Sequence, residues 1–117
     1  MGQIKIKASK VFVLDNALYE LEEQQTKFPL NVGYAVHKMS KQISGVAEYI
    51  SNRLFAVIDE ERMRLGNMTD EEQVIYNTLM DSDVWIEPFD ITKEELFDNK
   101  EVALALHEIA AVDELFA

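Results

Sequence analysis

Two histidines are the first side chains to consider as metal ligands. A zinc site needs three or four ligands, and this chain of 117 residues contains no cysteine. His107 and Glu108 begin like a zinc metalloprotease motif, but the position that needs the second histidine holds Ala111. We therefore expect His107, and equally His37, to be partly exposed helix residues, and we predict no metal and no cofactor.

Four acidic side chains near one another could instead surround calcium or magnesium. They are Asp81, Asp83, Glu87 and Asp90. A calcium-binding loop that began at Asp81 would need an oxygen ligand at position 85 and a glycine at position 86. The chain has Trp85 and Ile86 there. We expect a turn with solvated carboxylates, which a protein partner could contact.

The sequence contains no recognisable nucleophile or phosphate-binding loop. Ser40, Ser44 and Ser51 fall within a predicted helix and lack the glycine elbow that exposes a catalytic serine in hydrolases. The four glycines are scattered and form no loop that could cradle a phosphate. With 22 acidic residues, pairs of neighbouring carboxylates arise by chance. We therefore predict that the protein is not an enzyme.

The charge is divided unevenly along the chain. Residues 1–64 hold nine Lys and Arg against eight Asp and Glu. Residues 65–117 hold two against fourteen, a sum of −12, which together with +1 for residues 1–64 gives the net charge of −11. An acidic surface repels phosphate backbones, which argues against nucleic acid as a partner. The same surface could attract a basic protein.

Neither a membrane nor a secretory role is predicted. The N-terminal lysines are not followed by the apolar segment of a signal peptide, and no run of about 18 apolar residues is present. The lack of cysteine suits a reducing cytoplasm. A chain of this length fits one domain, and we expect residues 1–117 to form a single helix-rich domain.

The longest predicted element is one helix over residues 29–65, preceded by a strand over 3–7 and a helix over 9–25. Its apolar stripe consists of Val32, Val36, Met39, Ile43, Val46, Ile50, Leu54 and Ile58. Gly66 would supply a left-handed stop, and Gly45 would let another helix approach closely. A rod of roughly 50 Å is too long for one small domain to cover. We therefore expect part of it to meet another protein.

The C-terminal part is predicted to form short helices around one strand. Thr69 and Thr92 each begin a capping box, and Asn99 could cap a last helix. The strand covers residues 84–91 and pairs with the N-terminal strand, so that Lys5 and Lys7 face Glu87 or Asp90. The apolar side of the last helix consists of Val102, Leu106, Ile109, Val112 and Phe116.

Together these segments predict an α+β fold. It is mostly helical, with the long central helix in an αα-hairpin and a small two-stranded β-ribbon.

Short motifs carry a family resemblance over most of the chain. They are "IKI" at 4–6, "KFPL" at 27–30, "DEE" at 70–72, "YNTL" at 76–79, "VWI" at 84–86 and "ITKEEL" at 91–96. In this order they resemble a family of uncharacterised small proteins of tailed bacteriophages and prophages of Gram-positive bacteria. The resemblance implies a phage origin and a minor structural role, and it implies no activity.

These features predict a phage-encoded, non-enzymatic protein–protein interaction protein, a minor virion or assembly component that could also form homo-oligomers. The alternative is an acidic inhibitor or adaptor that binds a host protein, as an anti-defence protein or a nucleic-acid mimic. Either would act in the virion or the host cytoplasm. The candidate protein-binding residues are Tyr34, Tyr49, Leu54, Phe55, Ile58, Asp81, Asp83 and Glu87. Trp85 is a further aromatic candidate, because aromatic side chains dominate binding energy at interfaces.

Overall fold

The computed structural model describes residues 2–98 and 104–116. In chain order the elements are β1 (Ile4–Lys7), α1 (Ala8–Glu23), a 3₁₀ turn (Gln25–Lys27), α2 (Leu30–Phe55), α3 (Glu60–Leu65), α4 (Asp70–Met80), β2 (Asp83–Ile86), α5 (Lys93–Phe97) and α6 (Leu106–Asp113). The predicted α+β, mostly helical fold class is confirmed. The long helix, the hairpin and the two-stranded ribbon are all present.

Helices α1 and α2 pack against each other as a hairpin and supply most of the core. On α1 the buried side chains are Ala8, Val11, Leu14, Ala17, Leu18 and Leu21. On α2 they are Val32, Ala35, Val36, Met39, Ile43, Ala47, Ile50 and Leu54. Intervals of three and four residues place each set on one helix face, which is why the two helices pack along these faces. Each large apolar side chain contributes about 1.5–3 kcal/mol by its burial.

The predicted single helix over residues 29–65 is wrong, because the chain turns between α2 and α3. Asp59 has an extended backbone, and its carboxylate accepts a hydrogen bond from the Arg62 N–H at 3.1 Å. Aspartate at this position starts a new helix by satisfying a free N–H of the first turn. The turn folds Ile58 inward, where it is 2% exposed. The left-handed stop at Gly66 is confirmed by its φ of 74°.

The Glu72 carboxylate holds this turn in place. It accepts hydrogen bonds from the Asp59 N–H at 3.3 Å, from Arg62 at 3.2 and 2.6 Å, and from the Thr69 N–H at 3.0 Å. Thr69 in return accepts from the Glu72 N–H, which completes the predicted capping box. The hydrogen bond from Arg62, followed by that from Thr69, lowers the pKa of Glu72 to about 2. The buried Glu72 carboxylate thus connects the turn after α2, helix α3 and the start of α4.

Strands β1 and β2 form an antiparallel two-stranded sheet. Ile4 lies opposite Ile86, Lys5 opposite Trp85, Ile6 opposite Val84 and Lys7 opposite Asp83. Ile6 and Ile86 are buried, so this face of the sheet packs on the core. The strand ends before Pro88, which cannot donate to a ladder.

The predicted contacts of Lys5 and Lys7 with Glu87 or Asp90 are wrong. The register places Lys7 directly opposite Asp83, whose carboxylate lies 3.7 Å from Lys5 and 3.4 Å from Lys7. Asp90 instead pairs with Lys38 on α2. Lys5 and Lys7 therefore pair with an acid within β2, whereas the later acid Asp90 pairs with a lysine on α2.

Helix α6 packs against α1 with only part of the predicted apolar side, which includes Val112 but not Leu106. Val112 and Leu115 are buried, whereas Leu106 is 85% exposed. Phe116 stacks on Phe89 with ring centroids 4.9 Å apart. The buried side of α6 includes Glu108 instead of Leu106. The Glu108 carboxylate accepts a hydrogen bond from the Ala105 N–H at the N-terminus of the helix. The predicted cap at Asn99 and the stripe position at Val102 lie outside the described residues.

The turn between α2 and α3 makes a clear prediction for Ile58. Replacing Ile58 with Ala should lower the free energy of unfolding by about 2–5 kcal/mol, since it leaves a cavity in the core. Val57→Ala is the matched control, because Val57 is 56% exposed and should change stability by less than about 0.5 kcal/mol. Urea denaturation measures both. Equal small effects would contradict the inward turn.

The Glu72 interactions predict a stability that depends on pH. The folded pKa of Glu72 is about 2, against 4.5 for a free side chain. The unfolded state therefore binds more protons in this range, and stability present above pH 4.5 is lost as the pH falls toward 2. We expect Glu72→Gln to be less stable than wild type at pH 7, with the difference shrinking at acidic pH in urea denaturation. Glu71→Gln, at an exposed neighbour, should follow wild type throughout.

Candidate functional site

A groove of about 640 Å³ runs between α2 and β2. We call it the α2–β2 groove. Its lining residues are Ala8, Gln42, Gly45, Val46, Tyr49, Ile50, Arg53, Leu79, Ser82, Asp83, Val84 and Trp85. On α2 they recur at intervals of three and four, so they form one stripe beside the buried one. On the other wall, residues 82–85 are consecutive, so the edge of β2, and not just one of its faces, lies along the groove.

Gly45 lies in the helical wall, three residues after Gln42. A Cβ atom built at Gly45 would meet nothing within 4 Å. The close helix contact predicted at this glycine is therefore not made by any of the residues that the structure describes. Its missing side chain instead widens the groove near the end that Gln42 closes.

Two aromatic side chains stand at the rim of the groove, each beside a cation. Tyr49 is 61% exposed and Trp85 is 60% exposed. Arg53 donates a hydrogen bond to Tyr49 Oη at 3.2 Å and lies 6.0 Å from the ring centroid. Lys5 Nζ lies 6.0 Å from the Trp85 ring. Exposed Tyr, Trp and Arg together are typical of the residues that supply binding energy at protein interfaces.

Gln42 closes one end of the groove by pairing with the backbone of the residue after β2. The Glu87 N–H donates to Gln42 Oε1 at 2.8 Å, and Gln42 Nε2 donates to the Glu87 carbonyl at 3.1 Å. A side-chain amide that takes both backbone groups of one residue does what a neighbouring strand would do. The backbone groups of Glu87 therefore point toward α2.

The predicted aromatic and apolar site residues do not form one surface. Tyr49 lines the groove, but Tyr34 lies fifteen residues earlier, about 22 Å away along α2, where Lys38 Nζ approaches its ring to 4.9 Å. Phe55 is 38% exposed near the end of α2 and does not line the groove. The predicted contacts through Leu54 and Ile58 are wrong, because both are core residues, 3% and 2% exposed.

The predicted acidic residues lie at both ends of β2 and mostly interact with their own chain. Asp83 lines the groove and pairs with Lys5 and Lys7, as described above. The exposed Asp81 carboxylate lies 3.5 Å from Lys7 Nζ. Glu87 is engaged through its backbone by Gln42. Within residues 2–98 and 104–116, no three His, Asp or Glu side chains are grouped to hold a metal ion.

Sequence reasoning missed Gln42 and Arg53. Arg53 could have been found, because it lies four residues after Tyr49, where side chains on a helix meet. Gln42 gives no local signal, since its partner Glu87 is 45 residues away.

A second depression, of about 390 Å³, lies between α1 and α6 and includes Glu20, His107 and Glu108. Partial desolvation and a hydrogen bond with Glu108 raise the pKa of Glu20. Glu108 also accepts from the Ala105 N–H at 3.3 Å. Glu20 on α1 therefore lies close to Glu108 on α6, and the two carboxylates repel each other when both are charged. His107 is exposed and His37 is half-buried with Nδ1 3.2 Å from Glu22, close to the predicted partly exposed positions.

No helix in the described ranges combines the length and the apolarity needed to cross a membrane. The chain matches no protein-family model, no curated protein and no solved structure. The resemblance to phage proteins therefore stays a prediction. The candidate site is judged on its own geometry.

The Gln42 amide can be tested through stability. Gln42→Ala removes two hydrogen bonds to Glu87, and we expect it to lower the free energy of unfolding by about 1 kcal/mol, because both bonds are partly solvated. Lys41→Ala, at the exposed neighbouring position, should change it by less than about 0.5 kcal/mol. Urea denaturation measures the difference. Indistinguishable variants would contradict a pairing role for Gln42.

Proposed function

We propose that this chain is a non-enzymatic protein–protein interaction protein that binds its partner through the α2–β2 groove. The observation that supports the proposal is that Tyr49 and Trp85, both about three-fifths exposed, stand on opposite walls of one open groove. The motif resemblance extends the proposal to a minor virion or assembly component of a tailed phage. On that resemblance alone, the protein would act in the virion or in the host cytoplasm.

The energetics of exposed aromatics support a binding role for the groove. Burial of a Tyr or Trp side chain on binding lowers the free energy of the complex. Each covers a large area, and only two side-chain torsions must be ordered. Arg53 adds a charged group that a partner can hydrogen-bond, since among the described residues its side chain donates only to Tyr49 Oη. The groove walls are secondary-structure elements held by the core, so little ordering cost is expected on binding.

A second candidate function is the acidic inhibitor or adaptor that binds a host protein. It is favoured by Asp70, Glu71 and Glu94, which are exposed on α4 and α5. They make no ion pair with any residue in the described part of the chain. Such a surface would bind a basic partner, and the binding would weaken as salt rises.

The groove proposal is tested by capturing partners from a lysate of the cells in which the chain is naturally made. Tyr49→Ala and Trp85→Ala should each lower the affinity for a captured protein by about tenfold or more. Leu30→Ala and Leu106→Ala are matched controls, because these apolar side chains are 90% and 85% exposed and lie outside the groove. Light scattering after size-exclusion chromatography shows whether the partner is a second copy.

The outcomes separate the two functions. A partner kept by the groove variants but lost with Glu71→Gln and at high salt would favour the acidic inhibitor and contradict the groove. A partner lost equally with the two leucine controls would mean that the contact is not specific to the groove.

A further inference from the structure

We propose that the α2–β2 groove binds an extended segment of a partner protein, which adds a third strand to the free edge of β2. This inference depends on the proposed function and specifies the conformation of the partner. It follows from the backbone groups of β2, from the size of the groove and from the residues at its two ends.

The hydrogen-bond register leaves one edge of β2 open. The Ala8 N–H donates to the Ser82 carbonyl at 2.9 Å, so Ser82 faces β1. Backbone direction alternates along an antiparallel strand, and therefore Val84 and Ile86 also face β1. Trp85 faces away, toward α2, and its N–H and carbonyl bond to none of the described residues.

The contact with Gln42 shows that backbone groups on this edge of β2 can be hydrogen-bonded in the way that a neighbouring strand would bond them. Glu87 lies two residues after Trp85, so its backbone groups point in the same direction. Both are taken by the Gln42 amide. The same pair of groups at Trp85 opens into the groove, where a peptide backbone can bind as the Gln42 amide does at Glu87. Addition of a strand to an exposed edge is a common mode of peptide recognition.

The groove has the length of a short strand. Its helical wall runs from Gln42 to Arg53, which is about 16 Å at 1.5 Å per residue. An extended segment of about five residues has this length. Gly45, three residues from the Gln42 end of the wall, leaves room for one side chain that points from the segment toward α2.

The lining residues define the chemistry of the segment. Side chains directed into the groove would contact Val46, Ile50 and Leu79, so they should be apolar. Arg53 stands at one end and pairs with no described acid, so the segment should carry a carboxylate there. Side chains on the opposite face lie next to Trp85, which can cover an aromatic or β-branched neighbour.

A second copy of this chain does not fit as the occupant. The edge of β2 lies beside its own α2, to which Gln42 ties it. Two such edges could pair only if both α2 helices entered the same narrow space. A segment that is extended and free of its own fold has no such conflict.

The test uses a library of random seven-residue peptides, selected for binding to the full chain. The best binder is then resynthesised with one backbone N-methyl group at each position in turn. Methyl groups at alternate positions, where the peptide donates to β2, should lower the affinity about tenfold, and those at intervening positions should change it less than about threefold. Fluorescence of Trp85, the only tryptophan, reports binding.

Amide hydrogen exchange gives a second measurement on the protein itself. The Trp85 N–H should exchange at least about tenfold more slowly when the peptide is bound, because it gains a carbonyl partner. The Val84 N–H, which already faces β1, should change little. Gly45→Leu fills the groove and should abolish binding, whereas Gly45→Ala should keep it, since its Cβ meets nothing within 4 Å.

Failure of this inference can be told from failure of the proposed function. If methylation has no alternating effect, or if no selected peptide is lost with Gly45→Leu, strand addition is overturned. Natural partners could still be lost with Tyr49→Ala and Trp85→Ala in that case, and the groove would then bind a helix or a folded surface. If those two variants keep their partners, the groove itself is not the binding site.

Discussion

The turn at Asp59 is the constraint on which the rest of the structure depends, and the Glu72 carboxylate fixes it. A charged carboxylate is costly to bury unless its oxygens accept hydrogen bonds. Glu72 meets this condition only when Asp59, Arg62 and Thr69 converge on it. Their convergence ends the long helix, reverses the chain through α3 and starts α4. Helix α4 then returns toward α1 and delivers β2 to β1. The sheet, and therefore the groove beside it, exists because this turn is made.

The local part of the fold was predictable, because periodicity and caps act over a few residues. The stripes of α1 and α2, the capping boxes at Thr69 and Thr92 and the stop at Gly66 all belong to this class. The break at residue 59 was not predicted, although Asp59 is followed by Glu60 and Glu61, a usual helix start. The apolar stripe continues from Leu54 to Ile58 at an interval of four, as it would on one helix. A stripe cannot distinguish a helix that continues from a turn that folds its last apolar residue inward. That turn depends on Glu72, which is distant in sequence.

The candidate site was only partly predictable, for the same reason. Tyr49 and Trp85 were recognised by residue type, but they are 36 positions apart and share a groove only through the return of β2. The predicted single helix over residues 29–65 extends beyond the fold and so assigns Leu54 and Ile58 to a partner. Both residues belong to the core instead. The acids of the turn were expected to be solvated, yet the register pairs Asp83 with two lysines. Tertiary contacts decide which exposed-looking residues remain available.

An open strand edge needs a reason, because unpaired backbone groups attract unwanted strands. This edge is protected in several ways. β2 has only four residues, Lys5 and Lys7 lie on the neighbouring strand, and Gln42 occupies the position after β2. Helix α2 prevents a folded sheet from approaching. These features oppose edge-to-edge aggregation and still leave the backbone of Trp85 accessible to a single extended segment. The same helix that limits access also supplies Gly45, Tyr49 and Arg53, so in the proposed strand addition a single wall of the groove would both exclude wrong partners and recognise the right one.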